Sequence, residues 1–259
     1  MNPTSWNPTQ YEKFKNERSQ PFLDLMNMLK PVPHGRAIDL GCGTGELTQV
    51  LHRFLQAEMT MGLDSSAEML KDSQKFSGEG LSFIQGSIEQ WHSREKFDVV
   101  LSNAAIQWCQ HHEKILAHIY DSLKTDGQLG IQMPMNYDYP THILSRDMSH
   151  EPHWKNLLRG ETYDQASSML SLESYSQTLY KLGFREQKVL MRIYAHQLDS
   201  REGVIEWVRG PMLTHFKNRL SSTDYEQFLR EYRQRLFAIL PDERPFFYPF
   251  KRIFLWARR

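Results

Sequence analysis

Residues 37–45 read Ala-Ile-Asp-Leu-Gly-Cys-Gly-Thr-Gly, and this stretch constrains the chain more than any other. Ile38 and Leu40 give it the apolar character of a buried strand, and Glu46 to Phe54 then has the spacing of a helix. Glycine reaches left-handed backbone angles without strain and lets a ligand approach the main chain closely. A strand, a glycine turn and a helix in that order place a ligand at the carboxyl edge of a parallel sheet, over the helix N-terminus. A tight structural turn is the plain alternative; it explains the glycines but not the elements on either side of them.

The spacing narrows the ligand. A dinucleotide loop needs Gly-x-Gly-x-x-Gly or Ala, with the last residue small so that helix and strand pack closely. Counted from Gly41, that place holds Glu46, which disfavours hydride-transfer chemistry. The glycines fall instead at Gly41, Gly43 and Gly45, preceded by Asp39 and interrupted by Cys42. This string resembles the first motif of class I methyltransferases, which bind S-adenosylmethionine. That cofactor has no diphosphate, so the resemblance implies a loop fitted to an amino-acid end, a sulfonium and a ribose.

The alternation continues with Met59 to Leu63, an apolar run ending in Asp64, 25 residues beyond Asp39. A carboxylate at that strand end is suited to accept both ribose hydroxyls. It could also cap the helix expected from Ser65-Ser66 to Lys75, on which Met69 lies, and both roles can coexist. Leu81 to Ile84 reads as a third strand leading into Gly86-Ser87-Ile88-Glu89. The class usually carries an acidic residue here for the adenine amino group. Ser87 stands in its place, which leaves adenine to the Ser87 hydroxyl, the Ile88 backbone and apolar packing, with a weaker grip on the cofactor. Phe97 to Leu101 is a fourth strand, and Ser102 to Trp108 at its carboxyl end is the expected floor of the site. Enzymes that methylate base amino groups follow Asn or Asp here with Pro-Pro-aromatic; Asn103-Ala104-Ala105 lacks both prolines. A helix from Glu113 to Leu123, stopped at Asp126-Gly127, and a fifth strand from Gln128 to Met133 complete the pattern. Strands and helices joined by short loops imply a parallel sheet covered on both faces, with right-handed crossovers.

Outside this core the chain is more helical. Tyr11, Phe14 and Arg18, with Trp6 ahead of them, are spaced to share a helical face. Such a helix either packs its aromatics on the body or forms a lid that covers the cofactor while Arg18 meets a carboxylate. Phe22 to Leu29 continues as helix until Pro31-Val32-Pro33. In the less regular stretch 135–165, His142 and Arg146 are i and i+4, and a solvated helix face is the favoured reading. Leu170 to Leu182 is a helix stopped by Gly183, and Phe184 to Gln197 a strand. Glu202 to Arg209 is a helix broken at Gly210-Pro211; another, capped near Ser222-Thr223, carries the stripe Tyr225, Phe228, Leu229, Tyr232, Leu236 and Ile239. Phe250 to Ala257 is the last strand. The expected fold is α/β: a Rossmann-like class I methyltransferase sheet, mostly parallel with an antiparallel edge hairpin. Its domains are an N-terminal helical lid (1–30), a core (31–198 and 250–259, with a helical insertion at 135–165) and an inserted helical cap (199–249).

Composition excludes some partners. The 31 lysines and arginines balance the 31 aspartates and glutamates, so no overall field favours nucleic acid or an anionic membrane. The two cysteines give neither a disulfide framework nor metal-ligand spacing, and adjacent His111 and His112 project differently, so no metal is expected. No signal peptide or membrane-spanning run is visible, which leads us to expect a cytoplasmic protein.

A closer resemblance covers nearly the whole chain. Trp6-Asn7-Pro8 with Tyr11, Phe14, Arg18 and Pro21, the loop from Asp39 to Gly45, and Gly62-Leu63-Asp64-Ser65-Ser66 with Met69-Leu70 carry its first part. Asn103 with Gln107-Trp108, Gln132-Met133-Pro134, Pro140-Thr141-His142 and Glu206-Trp207-Val208 carry the rest. Together they resemble the trans-aconitate methyltransferase family. The resemblance implies transfer of a methyl group to a carboxylate of a small organic acid. A carboxylate of pKa about 4 is ionised at neutral pH and needs no general base. The protein must supply alignment and exclude water. A tight arginine clamp on the attacking oxygen would stabilise the ground state. Neutral donors such as Gln107 and Trp108 are therefore expected there, and Arg18, His142 and Arg209, in that order, on the remote carboxylates. Tyr11 joins the acid-binding set, and Asp39, the loop residues, Asp64, Ser65, Met69, Ser87, Ile88 and Asn103 the cofactor set. The Val208-Arg209-Gly210-Pro211 segment departs from the family's pattern. Alternatives are a lipid, phenol or acyl-carrier acceptor, where His142 or His196 would act as base, or a non-catalytic cofactor-binding protein. A monomer or weak dimer is expected.

Overall fold

The computed structural model describes residues 15–210 and 212–259, with side chains at all of these except 15–18 and 165. The expectations for Trp6, Tyr11 and Phe14, and for the side chain of Arg18, lie outside the described residues.

The chain divides into two compact units. One contains Ser19–Pro134, Ser168–Arg192 and Arg252–Arg259, and the other contains Met135–Ser167 and Ile193–Lys251. The division falls within the last two strands, and residues 135–167 cluster with the helical segment rather than with the parallel strands.

The sheet has seven strands in the order β3-β2-β1-β4-β5-β7-β6. They are β1 (Arg36–Leu40), β2 (Met59–Asp64), β3 (Leu81–Gln85), β4 (Phe97–Asn103), β5 (Leu123–Pro134), β6 (Glu186–Leu198) and β7 (Phe246–Arg258). β3, β2, β1, β4 and β5 are mutually parallel, with Asp39 beside both Gly62 and Leu101. β7 runs antiparallel to β5, pairing Gln128 with Arg258 and Pro134 with Arg252. This is the mostly parallel sheet with an antiparallel edge that the alternation implied. The order turns at β1 and β4, the neighbours whose onward connections run to opposite sides, which is where ligands lodge in open α/β sheets. Ala37, Ile38 and Leu40 in β1 and Val99 to Leu101 in β4 are buried, as central strands covered on both faces must be.

Helices α1 (Lys15–Met26), α2 (Glu46–Leu55), α3 (Ala67–Ser73), α4 (His112–Ser122) and α7 (Leu172–Leu182) surround these strands. α1 and the turn that follows it are fitted to β5 at Gly130, where an added Cβ would lie 3.5 Å from Leu25 and 3.3 Å from Leu29. Two boundaries differ from expectation. α1 stops at Met26, and Met28 and Leu29 donate to the carbonyls three residues back in a tighter turn before the prolines. α4 ends at Ser122, and β5 already begins at Leu123, which pairs with Phe97. Asp126, at φ 66°, then lies in an irregularity of the ladder between Phe97 and Val99, so Asp126-Gly127 interrupts a strand instead of stopping a helix.

The second unit has its own core. α5 (Pro140–His150), α6 (Pro152–Leu157), α8 (Glu202–Arg209), α9 (Leu213–Lys217) and α10 (Ser222–Ile239) are its helices. They bury Trp154, Trp207, Phe216, Phe228, Tyr232 and Tyr248. Phe216 and Phe228 stack at 4.2 Å, and Trp154 meets Phe228 edge-on at 5.0 Å. Of the α10 stripe, Phe228, Tyr232 and Leu236 are fully buried, while Ile239 at the last turn is 57% exposed. The cap of α10 is Ser221, one residue ahead of the expected pair, and its hydroxyl accepts from the Asp224 N–H.

Candidate active site

The loop after β1 is built by its glycines. Gly41, Gly43 and Gly45 have φ of 85°, 55° and 77°, angles that a residue with a Cβ adopts only under strain. Two of the three are also sterically required. A Cβ on Gly41 would sit 2.2 Å from that of Ala105, and one on Gly45 would sit 2.7 Å from the Phe83 ring. A Cβ on Gly43 would meet no atom within 4 Å, so the loop opens at its middle glycine.

Hydrogen bonds fasten this loop to the neighbouring strand end. The N–H groups of Gly41 and Cys42 both donate to the Leu63 carbonyl, at 2.7 and 3.1 Å. Asp64 accepts from Gly43 N–H through Oδ2 and from Ser66 N–H through Oδ1, both at 2.8 Å. The helix cap proper is Ser66, whose hydroxyl accepts from the Met69 N–H. Asp64 is half-buried, and each of its oxygens keeps a lone pair beyond these bonds.

Asp39 is 3% exposed and accepts from the Thr48 hydroxyl at 2.6 Å. Burial pushes its pKa up to about 7, with the Thr48 hydrogen bond opposing and the Asp64 charge adding. Thr48 was not singled out in the sequence; its signal is its place on the first turns of α2, facing back toward β1. The Cys42 thiol is pushed up by burial and by the charges of Asp39 and Asp64, so it stays protonated at neutral pH. Ser87 and Ile88 are half-buried after β3, while Ser65 is exposed. A Cβ on Gly41 would also meet the Ile88 side chain at 3.5 Å, which puts Ile88 against the same loop.

At the end of β4, Asn103 pairs in register with Gln132 of β5. Asn103 Oδ1 and Gln132 Nε2 are both buried and have no hydrogen-bond partner among the described residues. Buried polar atoms of this kind are uncommon, and they call for a partner beyond the described residues, from solvent, a ligand or the rest of the chain. Ala104 follows at φ 52° and donates to the Gln132 carbonyl. A single 3-10 turn then carries Ile106, Gln107 and Trp108. Gln107 is buried and donates from Nε2 to the Ala104 carbonyl at 2.7 Å, whereas Trp108 is 54% exposed. His111 is exposed and His112 buried, so the adjacent histidines diverge.

In the second unit, His142 lies half-buried on α5, 3.0 Å from the Thr141 hydroxyl and edge-on to Tyr137 at 5.6 Å. Burial drives its pKa down to about 4 against the opposing charge of Asp138. It is therefore a neutral hydrogen-bonding group at pH 7, and not the cation expected from the sequence. Arg209 closes α8 and pairs with Glu206 at 3.0 Å. His215 contacts the Glu161 carbonyl at 3.0 Å and packs edge-on against Tyr163. Tyr194 and His196 are buried in β6, with the His196 ring 4.4 Å from that of Trp207.

Comparison with known proteins agrees with this geometry. Residues 38–131, from the glycine loop to the fifth strand, match the family model described as a methyltransferase domain. A trans-aconitate 2-methyltransferase of Deinococcus radiodurans is 38% identical over 258 residues, 98% of each chain. One of Escherichia coli is 30% identical over 258 residues, 99% of each. Among solved structures, the YcgJ protein of Bacillus subtilis superposes with a TM-score of 0.59 at 16% identity, covering 93% of this chain and 98% of that one. Phosphoethanolamine N-methyltransferase 2 of Haemonchus contortus, solved in complex with S-adenosyl-L-methionine, gives 0.55 at 19% identity, covering 93% and 52%. The structural likenesses establish the fold, and the sequence likenesses run from end to end. The chain belongs to the trans-aconitate methyltransferase family.

Proposed function

We propose that this enzyme transfers the methyl group of S-adenosylmethionine to one carboxylate of a small di- or tricarboxylic acid of the trans-aconitate type. The observation that carries the reading is the near-full-length likeness to enzymes named for that reaction.

The residues present suit the cofactor. The loop opens at Gly43, Asp64 keeps free lone pairs at the end of β2, and Asn103 Oδ1 is a buried acceptor lacking a partner among the described residues. In this reading Asp64 holds the ribose hydroxyls, with Ser65 and Met69 beside it. Asp39, Gly41, Cys42, Gly43, Gly45 and Asn103 hold the amino-acid end, and Ser87 and Ile88 the adenine. When bound, the cofactor supplies a methyl group activated by a positively charged sulfur.

The protein's part in catalysis is positional. The acceptor carboxylate is ionised at neutral pH, so no side chain has to remove a proton. Gln107 and Trp108 are neutral donors, which orient the attacking oxygen without quenching its charge. Arg18 and Arg209 supply the positive charge for the remote carboxylates, with Tyr11 and neutral His142 as hydrogen-bonding groups. A carboxylate brought beside His142 would raise its pKa from the value burial gives it.

The balanced charge of the chain supports a free small acid over a nucleic acid. The reading includes a cytoplasmic enzyme that is a monomer or weak dimer. No helix among the described residues is long and apolar enough to cross a membrane. The test is an acceptor screen with radiolabelled cofactor over di- and tricarboxylates. Base-labile label on trans-aconitate or a close analogue supports the reading; no turnover across the panel sinks it.

A further inference from the structure

The turn that bears Gln107 and Trp108 is gripped from beneath by a buried histidine. His112, the first residue of α4, is 1% exposed. Its Nε2 lies 3.2 Å from the Cys109 carbonyl, and its Nδ1 lies 2.6 Å from the hydroxyl of Tyr175 on α7. A carbonyl only accepts, so Nε2 carries the hydrogen; Nδ1 is then bare and accepts from the Tyr175 O–H. Tyr175 is itself 1% exposed, its ring lies nearly parallel to that of His112, and its oxygen accepts from the Leu170 N–H at 3.4 Å. Cys109 closes the turn, since its N–H donates to the Ile106 carbonyl at 2.9 Å. An unbroken line of hydrogen bonds thus runs from α7 through the imidazole to the residue after Trp108.

We propose that Tyr175 and His112 form a positioning pair. The Cys109 carbonyl sets the imidazole in its Nε2–H form, and Tyr175, by donating to Nδ1, holds that ring, and with it the Gln107–Trp108 turn at the end of β4, in the geometry methyl transfer needs. This rests on the role given above to Gln107 and Trp108. Neither residue of the pair touches the acid or the cofactor. They act through the Cys109 carbonyl.

The surroundings keep the pair in one protonation state. Burial lowers the His112 pKa, against the carbonyls of Cys109 and Ile106 and the carboxylates of Glu113 on α4 and Glu89 beyond β3. Burial raises that of Tyr175, and holds the Cys109 thiol up at about 12. Glu89 adds a tie from the other side by accepting from the Gln110 N–H at 2.8 Å. The ring is therefore neutral and the phenol protonated across the working range of an enzyme at neutral pH.

The experiment compares the full-length wild type with Tyr175→Phe, His112→Leu and His112→Gln. Nitrogen-15 spectra of the histidine rings are recorded from pH 5 to 8, and kcat, acid KM and cofactor Kd are measured for each. The wild type should show one neutral Nε2–H ring at pH 7 to 8, and Tyr175→Phe the same form with its Nδ1 signal moved to that of a nitrogen without a donor and a kcat lowered severalfold. Because small displacements of a reacting group are costly, His112→Leu should lower kcat by about tenfold or more, with KM and Kd within about twofold. His112→Gln, which can donate to Cys109 and accept from Tyr175, should restore most of it. A wild-type ring protonated on Nδ1, unchanged kcat in the variants, or a kcat loss matched by an equal loss of cofactor affinity would overturn the proposal. If His112→Leu does not fold, Tyr175→Phe and the wild-type spectrum still decide. A wild type inactive on every acid overturns the acceptor reading and the pair's role together; an active wild type with indifferent variants overturns only the pair.

Discussion

Gly43 donates its backbone N–H to Asp64 Oδ2 at 2.8 Å, tying the loop after β1 to the end of β2. One carboxylate therefore serves both the architecture of the loop and, in the proposed function, the ribose. Replacing Asp64 by Asn keeps the shape and removes the charge. Hydrogen bonds to charged groups contribute about 1.5–3 kcal/mol, so cofactor Kd should rise by roughly 10- to 100-fold. Calorimetric titration with S-adenosylmethionine and its demethylated product checks this, and unchanged affinity would remove Asp64 from the site.

The glycines of the loop separate stability from binding. Gly41→Ala places a Cβ 2.2 Å from that of Ala105 at φ 85°, so it should lower Tm markedly. Gly43→Ala meets no atom within 4 Å and carries only the left-handed backbone cost, about 1–2 kcal/mol. Its main effect should be weaker cofactor binding, because the methyl group enters the open side of the loop. Thermal melts with and without cofactor distinguish the two: Gly41→Ala lowers the melt of the free enzyme, and Gly43→Ala lowers chiefly the shift produced by the cofactor.

Buried Asp39 sets a pH dependence of stability. Its pKa is raised from the ordinary carboxylate value of 3.8 to about 7 in the folded protein, mainly by burial. The folded state therefore binds more protons than the unfolded chain between those values, and stability from this group falls as pH rises through the window. It is fully present below about pH 4 and lost above about pH 7. Asp39→Asn, which cannot ionise and can still accept from Thr48, should flatten that slope. The stability difference between variant and wild type, followed by urea titration at fixed pH, should grow in the variant's favour from pH 4 to 7 and then level off.

Trp108 and Gln107 should respond differently to truncation. Trp108 is 54% exposed, so Trp108→Ala should leave stability within about 0.5–1 kcal/mol while lowering kcat by about tenfold. Gln107 is 4% exposed and bonded to the Ala104 carbonyl, so Gln107→Leu strands a buried acceptor and should cost about 1–3 kcal/mol as well as activity. Paired melts and initial rates give the comparison.

The parallel half of the fold was legible because its signals are local. Buried-strand runs such as Phe97 to Leu101 and the glycine turn at Gly41 to Gly45 state their conformation within a few residues. The expected floor of the site, Ser102 to Trp108, was read in the same way from its place at the carboxyl end of that strand, and its role is part of the proposed function. What the sequence did not disclose depends on contacts between distant residues. His112 and Tyr175 are 63 positions apart, and only the packing of α4 against α7 brings their polar atoms to 2.6 Å. His142 was expected as a cation on a remote carboxylate, whereas burial lowers its pKa to about 4 and leaves it neutral at pH 7. The start of β5 at Leu123 was hidden because a helix-stop signal, Asp126-Gly127, lies inside the strand as an irregularity.

The central claim is that the acceptor is a carboxylate already ionised at neutral pH. Initial rates of methyl transfer to trans-aconitate at saturating cofactor, followed from pH 5 to 9 with the product identified by mass spectrometry and its lability to base, test it most directly. The account predicts a base-labile monomethyl ester formed at a rate that stays flat from about pH 6 upward, since no side chain has to remove a proton. Cofactor binding without ester formation, or a rate that climbs through a pKa of about 6 to 7 as a histidine base would require, would contradict it.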